Sequence, residues 1–352
     1  RLSGAGFELE VLGADPARPS LLAVHRGRGG GRSLLLNGHV DTVGVAGMSE
    51  PFTARIEGDE RTGRMTGRGT SDMKSGVAAM VVCAEAAAAR GSAGDVLLAL
   101  VADEENASIG TPAVIDRLRA ANALPAGCIV GEPTWLDLPL AHRGYALVDV
   151  ELRGRAAHSS QPDLGTNALT HLGRLLAAVE QVDRGLAARA PHPQAGHGSL
   201  LATLASGGDS NFLVPARASV TLERRTLPGE TAADALAEVE DLVAELRRLD
   251  PAVDARCRLG LNREPWQAGS GPTSVELLDL FDAALVEAGR PRPDRGGAPY
   301  WMESALWEAA GVPTVVCGPA GGGMHAVDEW VDLAALRAYT HALDLVVRRF
   351  CG

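Results

Sequence analysis

Leu34-Leu35-Leu36-Asn37-Gly38-His39-Val40-Asp41-Thr42 is the stretch from which the fold of the chain can be read. Three leucines in a row have the unbroken apolar character of a strand buried on both faces, as inside a parallel sheet. Asn37-Gly38 reads as a turn that ends the strand. His39 and Asp41 then follow at its carboxyl end, where open α/β sheets bind ligands. Two apart in an extended segment, they point to one side. One could bind a metal while the other orients it by a hydrogen bond. A His-x-Asp at a strand end also occurs in plain surface turns, so the rest of the chain must decide.

Working outward, residues 7–12 and 20–25 read as strands before the leucine run, and residues 95–102 as a second buried strand ending in Asp103-Glu104-Glu105. Residues 128–130 form a third, ending in Gly131-Glu132-Pro133. Between them lie an Ala-rich helix over 76–89, preceded by Thr70-Ser71-Asp72-Met73-Lys74, and a helix over 111–120 with Pro112 in its first turn. This alternation implies a largely parallel sheet with helices on both faces. Near Gly144 the pattern changes. Residues 145–152 alternate apolar and polar, and helices and strands then follow in the order β-α-β-β-α-β. That order is ferredoxin-like. We read residues 145–259 as an inserted α+β domain and residues 1–144 with 260–352 as the discontinuous α/β domain that carries it.

Composition narrows the function classes. Hydrophobic residues are 46% and charged residues 22%, those of an ordinary globular protein. A net charge of −11 argues against general nucleic-acid binding. Of the 33 basic residues only Lys74 is lysine, which we read as codon bias. The five cysteines are scattered, odd in number and without a CxxC, pointing to a reducing, cytoplasmic setting. No apolar run reaches membrane-spanning length; residues 76–89 come nearest and Glu85 interrupts them. No signal peptide is recognisable. The chain starts without Met and its first residues read like the middle of an element, so an N-terminal segment is expected to be missing.

Asp72, Glu104, Glu105 and Glu132 stand at comparable places, and His325 joins them from the loop after a strand at 314–317. Parallel strands end on one edge, so with His39 these residues could share a site. So many carboxylates do not sit together ionised without a cation. Two His and three carboxylates, one of them bridging, can hold a co-catalytic zinc pair. Each also has an ordinary reading: an acidic turn for Glu104-Glu105, a first-turn acid for Asp72, loop positions for Glu132 and His325. All those readings would have to hold together at the ends of one sheet.

Several motifs carry a resemblance: Gly38-His39-Val40-Asp41-Thr42, Gly67-Arg68-Gly69-Thr70-Ser71-Asp72-Met73-Lys74-Ser75-Gly76, Asp103-Glu104-Glu105, Gly131-Glu132-Pro133-Thr134 and Met324-His325-Ala326-Val327-Asp328-Glu329. In the insertion, Gly154 to Pro162 and Arg225-Thr226-Leu227-Pro228-Gly229 also match. The chain resembles the zinc-dependent deacylase and exopeptidase family of acetylornithine deacetylase, succinyl-diaminopimelate desuccinylase, aminoacylases and carboxypeptidase G. The resemblance covers nearly the whole chain and implies a zinc-exopeptidase-like fold. It implies that His39 and Glu132 bind one Zn²⁺, that Glu105 and His325 bind the other, with Co²⁺ able to substitute, and that Asp72 bridges. Glu104 would be the general base, passing a proton from the attacking water to the leaving nitrogen, and Asp41 would orient His39. The insertion would be a lid through which a homodimer forms. His158, expected at a strand end, would donate to the oxyanion, and Arg225, aided by Asn211, would bind the substrate carboxylate. The Asp72–Met73 peptide would be cis.

The chain departs from the family in three places. The family's N-terminal helical segment has no counterpart. Arg224 stands beside Arg225 and could compete for its role. The segment Tyr300-Trp301-Met302-Glu303-Ser304-Ala305 stands where many members have Thr-Asp-Ala, and Glu303 in that place looks closer to the acetylornithine deacetylases. The expected substrate is an N-acyl amino acid or a short peptide, with deacylation favoured over dipeptidase or carboxypeptidase action. A non-catalytic metal-binding scaffold is the alternative of another class; retention of Glu104 and of every ligand position speaks against it.

Overall fold

The computed structural model describes residues 1–352. The chain divides into two compact units: Arg1–Leu140 with Ala268–Gly296 and Met302–Gly352, and Ala141–Gln267 with Gly297–Trp301.

The larger unit is built on a six-stranded sheet in the spatial order Glu8–Leu12, Ser20–His25, Val96–Val101, Leu34–His39, Gly127–Val130, Thr314–Val316. The last four strands run parallel, and the first two add an antiparallel edge. This is the mostly parallel α/β architecture expected. Leu34, Leu36, Leu98 and Ile129 pack with Met80, Phe281, Tyr339 and Leu343 of helices Lys74–Arg90, Pro272–Glu287 and Leu333–Cys351. Helix Lys74–Arg90 opens on the exposed Lys74 and closes on Gly91, whose left-handed φ of 68° suits a residue without Cβ. The peptide bond before it, Asp72–Met73, is cis.

One reading of the leucine run is corrected. Asn37-Gly38 is not a turn: the strand continues through both to His39, and all six of its residues are buried. The Asn37 side chain is satisfied inside the fold, so its polarity does not force it to the surface. Gly38 is there because a Cβ would lie 2.8 Å from both Met73 Cε and Val77 Cγ2. A second feature was not foreseen. Gly321–Gly322, Trp330–Asp332, Arg64–Thr66 and Arg55–Glu57 pair into a small antiparallel sheet. Strands of two or three residues are too short to show alternation.

The smaller unit has the antiparallel order Ser199–Gly207, Arg217–Arg225, Tyr145–Arg153, Asp254–Arg263. Val148, Val150 and Leu152 face helices Ala168–Ala188 and Ala232–Leu249, while the residues between them are half-buried. Asn167 caps the first helix by accepting from the amides of Leu169 and Thr170. Thr231 and Asp234 form a capping box on the second. Strand Ser199–Gly207 lies at the sheet edge and is exposed from Leu201 onward.

Candidate metal centre

Three parallel strands deliver side chains to one edge of the large sheet. His39 closes its strand and is fully buried. Beyond Val96–Val101, a left-handed Asp103 (φ 70°) turns the chain so that Glu104 and Glu105 follow at once. Gly127–Val130 leads through Gly131 to the buried Glu132. Asp72 arrives from the loop before helix Lys74–Arg90. His325 comes from the exposed loop after Gly321–Gly322, with its own left-handed φ of 63°. Non-glycine residues at positive φ are uncommon and gather at functional sites.

Asp72 is the centre of the group. Its Oδ1 lies 3.1 Å from His39 Nε2, and its Oδ2 lies 3.3 Å from His325 Nε2. Each histidine has a second carboxylate: Glu132 Oε1 at 3.8 Å from His39 Nε2, and Glu105 Oε2 at 3.1 Å from His325 Nε2. The side chains of His39, Glu104 and Glu132 bring ligand atoms within 4.8 Å of one another, and so do those of His39, Asp72 and Glu105. Imidazole nitrogen and carboxylate oxygen are the donor set of zinc and related divalent ions, and these residues could hold such ions. Asp41 has two contacts rather than one. His39 Nδ1 lies 3.2 Å from its carbonyl and 3.5 Å from its Oδ1. Its carboxylate also accepts the amides of Glu104 and Glu105, at 3.3 and 3.2 Å, and so fixes the acidic turn.

The electrostatics follow from this crowding. Burial tends to raise the pKa of Asp72, but its contacts with His325 and His39 outweigh that and hold it well below the carboxylate range. Burial, followed by the surrounding acids, pushes Glu104 and Glu132 well above theirs, although His39 opposes the rise. His39 rises well above an ordinary histidine because the facing carboxylates, Glu132 foremost, outweigh its burial. His325 is raised to about 10 by its bonds to Asp72 and Glu105.

The residues expected in the insertion lie in the smaller unit. His158 is exposed and is not at a strand end, since strand Tyr145–Arg153 stops five residues earlier. It forms an isolated bridge with Leu213 instead, and its Nδ1 lies 2.8 Å from Ser160 Oγ. The amide of Ser159 donates to the carbonyl of Phe212, setting the His158 ribbon beside that of the exposed Asn211. The two adjacent arginines differ sharply. Arg224 is buried and held by Glu230 and Glu238. Arg225 is half-buried, bonds Glu223 at 2.7 Å and sits 5.5 Å from the Tyr145 ring centre. Arg224 therefore has no free face to offer a ligand.

Sequence reasoning missed the role of Asn37. Its amide donates to Glu303 Oε2 at 2.7 Å, while its oxygen accepts from Thr111 Oγ1 and Trp307 Nε1. Glu303 in turn accepts from Ser108 Oγ at 2.6 Å. This buried network ties the His39 strand to the loop following Glu104 and Glu105. A polar residue inside an otherwise apolar strand was the available signal.

The sequence pattern of Peptidase family M20/M25/M40 matches residues 35–349. A succinyl-diaminopimelate desuccinylase of Acidiphilium cryptum is 32% identical over 361 residues, covering 99% of this chain and 91% of the relative. An acetylornithine deacetylase of Myxococcus xanthus is 28% identical, covering 100% and 90%. The crystal structure of an aminopeptidase from Bacillus cereus superposes with a TM-score of 0.78 at 16% identity, covering 100% of this chain and 91% of that one.

Proposed function

The chain belongs to Peptidase family M20/M25/M40 and is an enzyme acting on amide bonds, and on that premise we propose that it removes the acyl group from an N-acyl amino acid. The observation that carries this reading is the likeness over nearly the whole chain to a desuccinylase and a deacetylase, while the division of the two Asp72 oxygens between two histidines, each backed by a further carboxylate, supports the metal centre it needs. His39 and Glu132 would hold one Zn²⁺, Glu105 and His325 a second, with Asp72 shared. Bound there, such ions would act as Lewis acids toward the amide carbonyl and make water more acidic. Glu104 would take a proton from the attacking water and return it to the leaving nitrogen, so that the C–N bond breaks to give a carboxylic acid and an amine.

His158 would stabilise the oxyanion, and Arg225 with Asn211 would hold the substrate carboxylate. Arg225 is the better placed of the arginine pair because Arg224 is consumed by Glu230 and Glu238. The smaller unit would act as a lid and homodimer contact. Its edge strand supports this, with Leu201 45% and Leu204 70% exposed beside unpaired backbone. The unpaired cysteines support a cytoplasmic setting, and the charge of −11 supports an absence of nucleic-acid partners. No helix is long and apolar enough to cross a membrane. Action on a dipeptide or a peptide C-terminus is the second reading, supported by likeness of fold to a human carnosine dipeptidase and a Sulfolobus solfataricus metallo-carboxypeptidase.

A panel of N-acetyl and N-succinyl amino acids and dipeptides, assayed with zinc by ninhydrin detection of the freed amine, tests the proposal. Turnover of the acyl amino acids above the dipeptides is expected. Turnover of dipeptides alone would favour the second reading, and none on any compound with metal bound would point to a scaffold.

A further inference from the structure

Arg68 and Glu329 form a buried ion pair with no part in the reading above. Their side chains are 3% and 0% exposed, and Arg68 Nη1 lies 2.6 Å from Glu329 Oε2. The Glu329 carboxylate accepts three further bonds, all from backbone: Gly69 N at 3.0 Å on Oε2, and Ser71 N at 2.9 Å and Asp72 N at 3.0 Å on Oε1. Arg68 Nη2 reaches the carbonyls of Ala326, at 2.9 Å, and Gly44, at 3.3 Å. One carboxylate thus collects the amides that lead into Asp72, while its guanidinium partner holds the residue next to His325.

A buried ion pair is poor value as a source of stability, since apolar residues of similar volume often serve as well. Its merit is geometric. Only an ionised carboxylate offers lone pairs to four donors arriving from two sides, and only a guanidinium carries planar donors to several acceptors at once. The pair also acts on the part of the site that no strand pairing holds. His39 belongs to a central strand paired on both sides, whereas His325 stands on an exposed loop.

The geometry points to Arg68 and Glu329 as positioning residues that fix Asp72 against His325 before any cation arrives. They act most on the metal position formed by Asp72, Glu105 and His325, and less on the His39–Glu132 side, which shares Asp72 but is otherwise held by a central strand. This rests on the two-metal reading for its consequence, but not for its structural content.

Two measurements test it. In the first, Zn²⁺ is titrated against a chromophoric chelator in wild type and in Glu329→Gln, which turns one acceptor oxygen into a donor facing other donors. Affinity for the His325-side ion is expected to fall about 10–100-fold, as when the group orienting a ligand is lost, with the other ion, which shares only Asp72, weakened less. Arg68→Lys keeps the charge without the planar fork and is expected to fall in between. Equal effects on both ions, or none, would overturn the inference. The second needs no variant. Hydrogen exchange of metal-free wild-type protein should show the amides of Gly69, Ser71 and Asp72 already protected, and little altered by Zn²⁺. Fast exchange that slows only on metal addition would mean that the ion, not Glu329, organises the loop. If wild type binds no divalent ion, the metal reading fails, and the exchange result still decides whether the pair holds the loop.

Discussion

Binding of a divalent ion to this site should expel protons, and its affinity should climb steeply with pH. His325 Nε2 faces Asp72 and Glu105 at 3.3 and 3.1 Å, and these contacts raise its pKa to about 10. A histidine at the ordinary value would already be neutral at pH 8. With its pKa raised, His325 would still be protonated there and would have to lose its proton to offer a lone pair. Each unit of pH lost below about 10 then weakens apparent affinity about tenfold through His325 alone. His39, raised by Glu132 and its neighbours, adds to that slope wherever it too is protonated. The His325 side chain is 56% exposed, and water screens its ion pairs, but the slope near pH 7 survives as long as its pKa stays clear of that pH. Calorimetric titration with Zn²⁺ at pH 7, in two buffers of different ionisation heat, counts the protons, and at least one per chain is expected. The metal-free fold should respond with the opposite sign. A raised histidine pKa stabilises it fully below about 6.5, and that stability is lost as pH rises through about 10. Zinc affinity that stays flat between pH 7 and 9, with no proton released, would refute the reasoning.

Glu104→Ala should keep its metal content, measured by elemental analysis, while kcat falls by about 10²–10⁴; unchanged turnover would remove Glu104 from the proton transfer. If His158 acts across a dimer, mixing His158→Ala with Glu104→Ala subunits should restore roughly half of wild-type activity to the hybrids. Hybrids as inactive as both parents would confine His158 to its own subunit or to no role. Gly76→Ala sets propensity against packing. Alanine favours a helix by about 1 kcal/mol, yet its Cβ would lie 2.5 Å from the Gly131 carbonyl, next to Glu132. Urea unfolding should therefore show a net loss of about 1–3 kcal/mol, and a gain would mean that the helix shifts freely.

What could be read from sequence was what repeats along a strand or clusters after one. The leucine run, its two apolar companions and the acidic or histidine residues behind them placed the sheet and its ligand-bearing edge. The alternation of residues 145–152 marked the change of sheet type in the same way. What could not be read was settled by partners distant in sequence. Asn37 looked like a turn because its three partners are Thr111, Glu303 and Trp307. His158 was expected at a strand end because nothing local announces a single bridge to Leu213. Arg224 and Arg225 could not be told apart until Glu230 and Glu238 were seen to hold one of them. Glu329 stood in a recognised motif, but its function lies in three amides near Asp72, some 260 residues earlier, and backbone amides leave no mark on composition.

Lys74, the one lysine in these 352 residues, is exposed and begins the helix two residues after Asp72. A protease that cuts after lysine therefore has a single target, the Lys74–Ser75 bond, and Ser75 is buried in the first helical turn. Cleavage requires that turn to open, so wherever it outpaces global unfolding its rate reports local opening beside the metal-bearing loop. Two fragments on a gel would measure how often the loop beside Asp72 lets go.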